Sequence, residues 1–436
     1  MSERPLVLIS GKDVVDEVGG HSSYVRAHAL AGARAGLEPH IFSIGKRTET
    51  LQVPFGTVHR VSLPWLRTIP VVLQPFVLAP AVVRFLRGRR GPHLIHGFAI
   101  WAAAAVAASR ALSRAGVSSV ALASAYGTRA YEVGAMQRGL RGHHGFLNRV
   151  RYRAWLIWIT VADDRVERWG YGNARQVMVN YESVRRILRD AYGPGLDIRR
   201  VPYASLDAVG DGAQVPCPPG HGSREALPRG LAELQDSDAP LVLATSRHDP
   251  RKGLDVLLLA LAELAQSGVR FRACLIGPGR LLDPHRRLSA ELGLSGRVSI
   301  TGQVADVEPY LRRAEVFVLP SLAEASGSIS VLEALRSGTA VIASACDGIP
   351  EDLRHGHDAL LVPPGNPRAL AEALRTLLGD PPLRARLGAE ALSTHAHRFS
   401  ATGFGTALES AYSELTDEAA RSLIGGSRLS RTASAT

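Results

Sequence analysis

The feature that most constrains this chain is an alternation of short apolar runs with helical patterns, which occurs in both halves of the sequence. Residues 6–10 form an apolar, β-like run. A loop containing Gly19 and Gly20 follows, then a helical spacing of Tyr24, Val25, Ala29 and Leu30. Runs at 40–44, 93–96 and 117–123 repeat the unit, and an alanine-rich helix at 101–112 separates the last two. Runs at 240–245, 271–276, 297–301, 316–320 and 340–344 carry the pattern through the second half. Strands buried on both faces read as continuous apolar segments, and strand–helix alternation places them in a parallel sheet. The expected fold class is α/β, with two doubly wound parallel-sheet, Rossmann-like domains. Such sheets bind ligands beyond the carboxyl ends of their strands, so the two domains are expected to face each other across a crevice that holds the site.

Between the halves, residues 215–230 read VPCPPGHGSREALPRG, and these prolines and glycines oppose both helix and strand. The expected division is a first domain at 1–207, a linker at 208–238 and a second domain at 239–385. Helices at 386–418 are expected to pack back toward the first domain, with a flexible Ser/Arg/Thr-rich tail at 419–436. A chain of 436 residues is long enough for two cores.

Lys plus Arg (51) against Asp plus Glu (40) leaves a formal charge of +11, which predicts an anionic partner. The arginines are dispersed rather than interleaved with aromatics, which argues against a nucleic-acid groove. Cys217, Cys274 and Cys346 are too few and too scattered for a disulfide framework or a zinc ribbon. With no signal-peptide pattern in MSERPLVLIS, the expected location is cytoplasmic. The apolar stretch 65–90 carries Arg67, Gln74, Arg84, Pro70, Pro75 and Pro80, so a spanning helix is not expected. Its basic end (Arg84, Arg87, Arg89, Arg90) leaves peripheral contact with an anionic membrane open, association being with the cytoplasmic face; a core helix with a basic cap is the alternative.

The segment LVLATSRHDPRKG (241–253) is a strand followed by Arg247, Lys252 and Gly253 on the loop that leaves it. A planar guanidinium and a point-charge ammonium there suit a diphosphate, though loop cations are more often simply solvated. In VFVLPSLAEASGSISVLEALRSG (316–338), a strand ends at Pro320, a loop of small residues carries Glu324, and a helix from about Ser328 carries Glu333. Small residues allow backbone amides to approach a ligand, and a helix start favours phosphate. Glu333 is placed to reach ribose hydroxyls; alone it would read as a surface or capping carboxylate. Asp236–Ser237–Asp238 matches a metal-binding D-x-D, but it precedes the first strand of the second domain and is expected to be structural. His93 and His96 read as packing or strand-end groups, His143–His144 as exposed, and His21 as a group that could face the crevice.

Together these motifs resemble the retaining glycosyltransferases of family 4, with their GT-B architecture of two Rossmann-like domains. The likeness runs from residue 6 to about 415. It rests on Arg247 with Lys252–Gly253, Glu324 with Glu333–Ala334–Leu335 and Gly338, Ile276–Gly277–Pro278–Gly279, Val298 to Gly302, and Gly348–Ile349–Pro350–Glu351. Gly19–Gly20 in the first half and the boundary stretch from Glu167 through Val177, Val179, Ser183 and Tyr192–Gly193 extend it.

The resemblance implies transfer of a hexose-type sugar, with retention, from a UDP- or GDP-linked donor to a glycan, lipid-linked or small-molecule acceptor. It implies Arg247, Lys252 and Glu324 as the catalytic set. Donor contacts would come from Gly19, Gly20, Ser246, Arg247, Lys252, Gly277, Leu319, Glu324, Ser326, Gly327, Ser328, Ser330, Val331 and Glu333, and acceptor or sugar contacts from His21 and Tyr126. No metal or other cofactor is expected, because the two cations compensate the diphosphate. Alternatives are an epimerase or sugar phosphorylase on the same plan, or a non-enzymatic scaffold for anionic surfaces. Lysines are sparse for a phosphorylase that holds pyridoxal phosphate.

The chain departs from the family pattern at four places. Tyr126 stands where a sugar-facing histidine is usual. Asp347 replaces the first of two glycines. The boundary Pro202–Tyr203–Ala204–Ser205–Leu206–Asp207 alters the usual hinge, and one extra residue lies between Glu324 and Glu333. Aligning the loop from Pro320–Ser321–Leu322 keeps Glu324 as the sugar-binding carboxylate, with the extra residue absorbed in 325–330.

Overall fold

The apolar runs become strands of two separate sheets in a computed structural model that describes residues 4–16, 20–62, 69–89, 91–140, 146–201, 204, 230–232, 234–399 and 401–432. In chain order the first half comprises β1 (Pro5–Ile9), α1 (Gly20–Arg34), β2 (Glu38–Ile44), β3 (Glu49–Val53), β4 (Gly56–Val61), α2 (Gln74–Leu86), β5 (His93–Phe98), α3 (Ala102–Arg114), β6 (Ser119–Ala125), α4 (Arg129–Gly139), α5 (Phe146–Asn173), β7 (Gln176–Val179), α6 (Glu182–Tyr192) and β8 (Ile198–Arg200). The second half comprises β9 (Leu241–Thr245), α7 (Leu254–Gln266), β10 (Arg272–Ile276), α8 (Leu282–Glu291), β11 (Val298–Gly302), α9 (Glu308–Leu311), β12 (Val316–Leu319), α10 (Ile329–Arg336), β13 (Ala340–Ser344), α11 (Ile349–Asp352), β14 (Ala359–Val362), α12 (Pro367–Gly379), α13 (Pro381–Arg398) and α14 (Ala401–Thr432). Each half is a doubly wound α/β unit.

The first sheet runs β3-β4-β2-β1-β5-β6-β7-β8 and is parallel except at its edge, where β3 pairs antiparallel with β4. The second runs β11-β10-β9-β12-β13-β14, all parallel. Every residue of β1 and β9 is buried, because helices cover both faces of these central strands. Alternation along β1 divides the first core: Leu6 and Leu8 pack with α1 and α14, whereas Val7 and Ile9 pack with α2 and α3. The β3–β4 hairpin is absent from the sequence expectation because its exposed edge carries no continuous apolar run.

Contacts divide the chain into a first unit (1–129, 158–211, 401–436) and a second (130–157, 212–400). This differs from the expected boundaries in two places. Residues 130–157 belong with the second unit: a Cβ on Gly139 would lie 2.0 Å from the Pro250 carbonyl, Glu132 lies 3.6 Å from Arg251, and the Arg280 guanidinium sits over Trp155. Helix α13, expected to return to the first domain, stays with the second unit, because Leu387 joins its core and Gly388 packs against the Gly338 carbonyl. Only α14 returns to the first unit, and its backbone is helical from Ala401 to Thr432. Most of the expected linker, along with Pro202, Tyr203 and Asp207, lies outside the described residues.

Helix α14 is held by a buried stripe of Phe404, Leu408, Ala411, Tyr412 and Leu415. The Tyr412 hydroxyl lies 2.7 Å from His28 Nδ1 and 2.8 Å from His96 Nδ1, and His96 Nε2 lies 2.9 Å from Ser124 Oγ. Burial keeps both imidazoles neutral, that of His96 pushed down to about 3, so one ring can donate to the hydroxyl while the other accepts from it. His96 is thus a packing residue, as its strand position suggests. Tyr412→Phe leaves two buried ring nitrogens without this partner and is expected to cost about 1–3 kcal/mol. Urea unfolding followed by circular dichroism measures it, and an unchanged midpoint would remove Tyr412 as the tether of α14.

Candidate active site

In the second unit, glycines bring the carboxyl ends of three strands close together. After β9, Ser246 N donates to Ile276 O (2.9 Å) and His248 N to Pro278 O (2.8 Å), so the loop runs alongside the end of β10. A Cβ on Gly277 would meet the Ser246 carbonyl at 2.0 Å, and one on Gly279 the His248 carbonyl at 2.3 Å. Asp249 then accepts from Arg251 N (3.0 Å) and starts a single 3-10 turn, Pro250–Lys252. Gly253 ends that turn at φ +60°, where a Cβ would lie 2.2 Å from the Pro320 carbonyl. Lys252 is thereby placed against the end of β12.

There Lys252 Nζ donates to both carboxylate oxygens of Glu324, at 2.6 and 2.8 Å. Ser321 Oγ donates to the same carboxylate at 2.5 Å. The Lys252 side chain is 12% exposed and that of Glu324 5%. Burial opposes the charge on Glu324, but Lys252 and Arg251 outweigh it and hold the carboxyl below its ordinary range. Arg251, also buried, is itself kept charged against desolvation by Glu132, Glu324, Asp249 and Asp347. Nothing in the sequence pattern separates this arginine from a solvated loop residue; its burial follows from where α4 packs.

The loop beyond Glu324 is held by Asp347. Its Oδ2 accepts from Glu324 N (2.7 Å) and Ala325 N (2.8 Å), while Oδ1 accepts from the Tyr131 hydroxyl. Burial, reinforced by Asp347, pushes the Tyr131 phenol up, so it remains a donor. Asp347 (φ +48°) and Ala325 (φ +61°) both adopt the left-handed backbone that glycine takes most readily. Asp347 therefore keeps a glycine-like conformation while adding a carboxylate that glycine lacks. Ser326 N closes a tight turn on Glu324 O at 2.8 Å.

The remaining candidates of the second unit lie around this pair. Leu319 ends β12; Ser326 and Gly327 lead to Ser328, the N-cap of α10, whose Oγ is 2.9 Å from Ser330 Oγ. Val331 is buried in the first turns of α10, and Glu333 is half-buried on the same helix. Arg247, 58% exposed, is held only loosely by Asp249 at 3.4 Å, so its guanidinium is presented to solvent. The Ser246 hydroxyl is buried and lacks a hydrogen-bond partner among the described residues.

In the first unit Gly19 lies outside the described residues, and Gly20 opens α1. His21 and Tyr126 come together, their rings 6.0 Å apart, and Trp101 lies 5.3 Å from the same imidazole. His21 Nε2 is 2.9 Å from Ser10 Oγ. Burial, then Lys12, pushes His21 down to about 3, so it is a neutral hydrogen-bonding group rather than a cation. Asp236 of the D-x-D sequence is bound by Arg270 at 2.6 and 2.9 Å. Among the described residues no three His, Cys, Asp or Glu side chains cluster as a metal site.

Residues 239–380 match the family model described as Glycosyl transferases group 1. The lipopolysaccharide core biosynthesis glycosyltransferase LpsE of Rhizobium meliloti is 34% identical over 164 residues, covering 38% of this chain and 47% of LpsE. A D-inositol 3-phosphate glycosyltransferase of Streptomyces bingchenggensis is 35% identical over 188 residues, covering 41% of each chain. The match thus spans under half the length of these curated relatives. Among solved structures, sucrose-phosphate synthase from Thermosynechococcus elongatus has a TM-score of 0.72 at 22% identity, covering 95% of this chain and 99% of its own. Anabaena HepE in complex with UDP-glucose has a TM-score of 0.64 at 17% identity, covering 94% and 99%. The fold of this chain is the GT-B fold of two parallel-sheet α/β domains.

Asp347→Ala is expected to release the amides of Glu324 and Ala325 and to destabilise the second unit by about 1–3 kcal/mol. Hydrogen exchange resolved at residues 324 and 325 checks it. Exchange as slow as in the parent would show that the carboxylate does not hold the loop.

Proposed function

We propose that this chain, whose residues 239–380 are a glycosyl transferases group 1 domain, moves a hexose-type sugar from a nucleotide diphosphate sugar to an acceptor hydroxyl with retention at the anomeric carbon. The observation that carries this reading is the buried Lys252–Glu324 pair at the ends of β9 and β12, with the exposed guanidinium of Arg247 on the same loop as Lys252. The ammonium has three donors and spends two on Glu324, which leaves one for a phosphate oxygen. Arg247 supplies the planar fork that matches a diphosphate. The complex of HepE with UDP-glucose favours a UDP-linked donor over a GDP-linked one. The names of the curated relatives point to a glycan or a phosphorylated small molecule as the acceptor class.

Each residue then has a stated task. Arg247 and Lys252 compensate the charge that grows on the leaving diphosphate as the bond from the anomeric carbon to its phosphate oxygen breaks. The acceptor oxygen bonds to that carbon on the face the phosphate leaves, and the acceptor proton passes to the departing phosphate oxygen. No protein base is required, in keeping with Tyr126, a poor base near neutral pH. Glu324 binds the hydroxyls of the transferring sugar, Glu333 those of the ribose, and the amides of Gly327 and Ser328 are offered to the phosphates. Metal is not needed for charge compensation in this scheme.

Calorimetry with UDP and early-time proton NMR of the product test the scheme together. Arg247→Ala and Lys252→Ala are each expected to weaken UDP binding roughly tenfold or more, since a charge-assisted hydrogen bond contributes ~1.5–3 kcal/mol. Glu324→Gln should cripple transfer while leaving UDP affinity at or above the parent value, because the freed ammonium can turn to phosphate; Glu333→Gln should weaken UDP binding itself. Unchanged affinity in both cation variants, or an inverted anomeric signal, sinks the reading.

A further inference from the structure

Three helical segments of the first unit, α2, α3 and residues 158–173 of α5, enclose a groove of about 770 Å³. Its walls are apolar, built from Phe76, Ala79, Val83, Ala107, Ala111 and Trp169, and its rim carries Arg84, Arg87 and Arg165. The apolar surface continues along α5, where Trp158, Val161, Arg165 and Trp169 follow helical spacing on one stripe. Phe76 is 67% exposed and Trp158 69%. Aromatic side chains gathered this way on a soluble surface mark an interaction site.

The charge on this face has one sign. Helices α2 and α3 contain no Asp or Glu. The carboxylates within 158–173 are turned elsewhere: Asp163 to Arg129, Asp164 to Tyr192, and Glu167 to Tyr171, Tyr192 and the Arg129 amide. The heads of Arg84, Arg87 and Arg165 are exposed, and no carboxylate among the described residues pairs with them. Arg110 lies over the Trp169 ring, adding a further cation at the groove.

We propose that this face docks on an anionic lipid bilayer, with Phe76, Trp158 and Trp169 at headgroup depth and Arg84, Arg87 and Arg165 on the lipid phosphates. A bilayer supplies both halves of the complement: negative headgroups for arginines whose stems lie along apolar surface, and a flexible acyl chain for the groove. A protein partner would have to present an acidic rim and an apolar ridge of matching shape. No helix among the described residues is long and apolar enough to cross a membrane, so the contact is peripheral. It goes beyond the transferase reading and does not depend on it, since lipid binding is measured without donor.

Flotation of the full chain with mixed phosphatidylcholine–phosphatidylglycerol vesicles tests the proposal, with pure phosphatidylcholine vesicles as the neutral arm. The parent is expected to float with the mixed vesicles at low salt and to leave them at high salt, as screening shortens the reach of its arginines. The double variant Arg84→Ala with Arg87→Ala should partition roughly thirtyfold more weakly, about fivefold per arginine removed. Trp158→Phe should reduce the blue shift in tryptophan emission on vesicle addition, and Trp158→Phe with Trp169→Phe should abolish most of it. Thermal unfolding matching the parent shows that these exposed substitutions leave the fold intact. Equal flotation of parent and double variant overturns the proposal, as does a parent that stays off both vesicle types. A parent that ignores vesicles and sediments as a dimer assigns the face to a second copy, which overturns it too.

Discussion

The buried ion pair between Lys252 and Glu324 is the interaction on which the architecture of the second unit converges. Removing two charges from water costs several kcal/mol per ion, and their attraction offsets this only where geometry is close and the remaining polar atoms are bonded. The structure meets the first condition, and the second on the carboxylate side. Gly253 lets the Lys252 loop press on the Pro320 carbonyl, and Gly277 and Gly279 let β10 lie against the strand-end loop of β9. Ser321 gives the carboxylate a further donor, and Arg251 adds a second positive charge from a buried position. A ligand phosphate would meet an ammonium already aimed and partly stripped of water.

Two of the departures from the family pattern compensate for each other at this point. The extra residue between Glu324 and Glu333 is accommodated through a left-handed Ala325, which is costly for a residue with a Cβ. Asp347 stands where a glycine is usual, keeps the left-handed backbone, and takes the amides of Glu324 and Ala325 on one oxygen. Tyr131 holds its other oxygen, from a segment that precedes the second sheet by about a hundred residues of chain yet packs within its unit. A lengthened loop that would otherwise be loose is thus pinned at its base.

The first unit distributes charge in the opposite way. Its buried ionisable groups are kept neutral or bonded inward: His21, His28 and His96 as uncharged rings, Glu167 under Tyr171 and Tyr192. Arg60, 12% exposed, is matched by Asp13, Asp16 and Glu49, whereas Arg84, Arg87 and Arg165 stay exposed to solvent. This partition leaves one helical face of the unit with a net positive, apolar character that the chain's overall charge of +11 does not locate by itself.

What the sequence alone determined was the fold class and the principal strands, because parallel strands covered on both faces must be continuously apolar, and that pattern is written locally in segments such as 241–245 and 340–344. Arg247, Lys252, Glu324 and Glu333 were legible as candidates for the same reason: each follows a recognisable strand end or opens a helix at a fixed offset. The β3–β4 edge was not legible, since an exposed hairpin needs no apolar run. Nor could the sequence assign α13 and α14 to different units. Both are amphipathic, and the choice rests on Gly388 meeting the Gly338 carbonyl and on Tyr412 meeting two histidines more than three hundred residues earlier. Arg251, Asp347 and Tyr131 owe their roles to tertiary structure alone, because burial and partner geometry arise between segments distant in the chain, and residue type at one position carries no record of what another segment will place beside it.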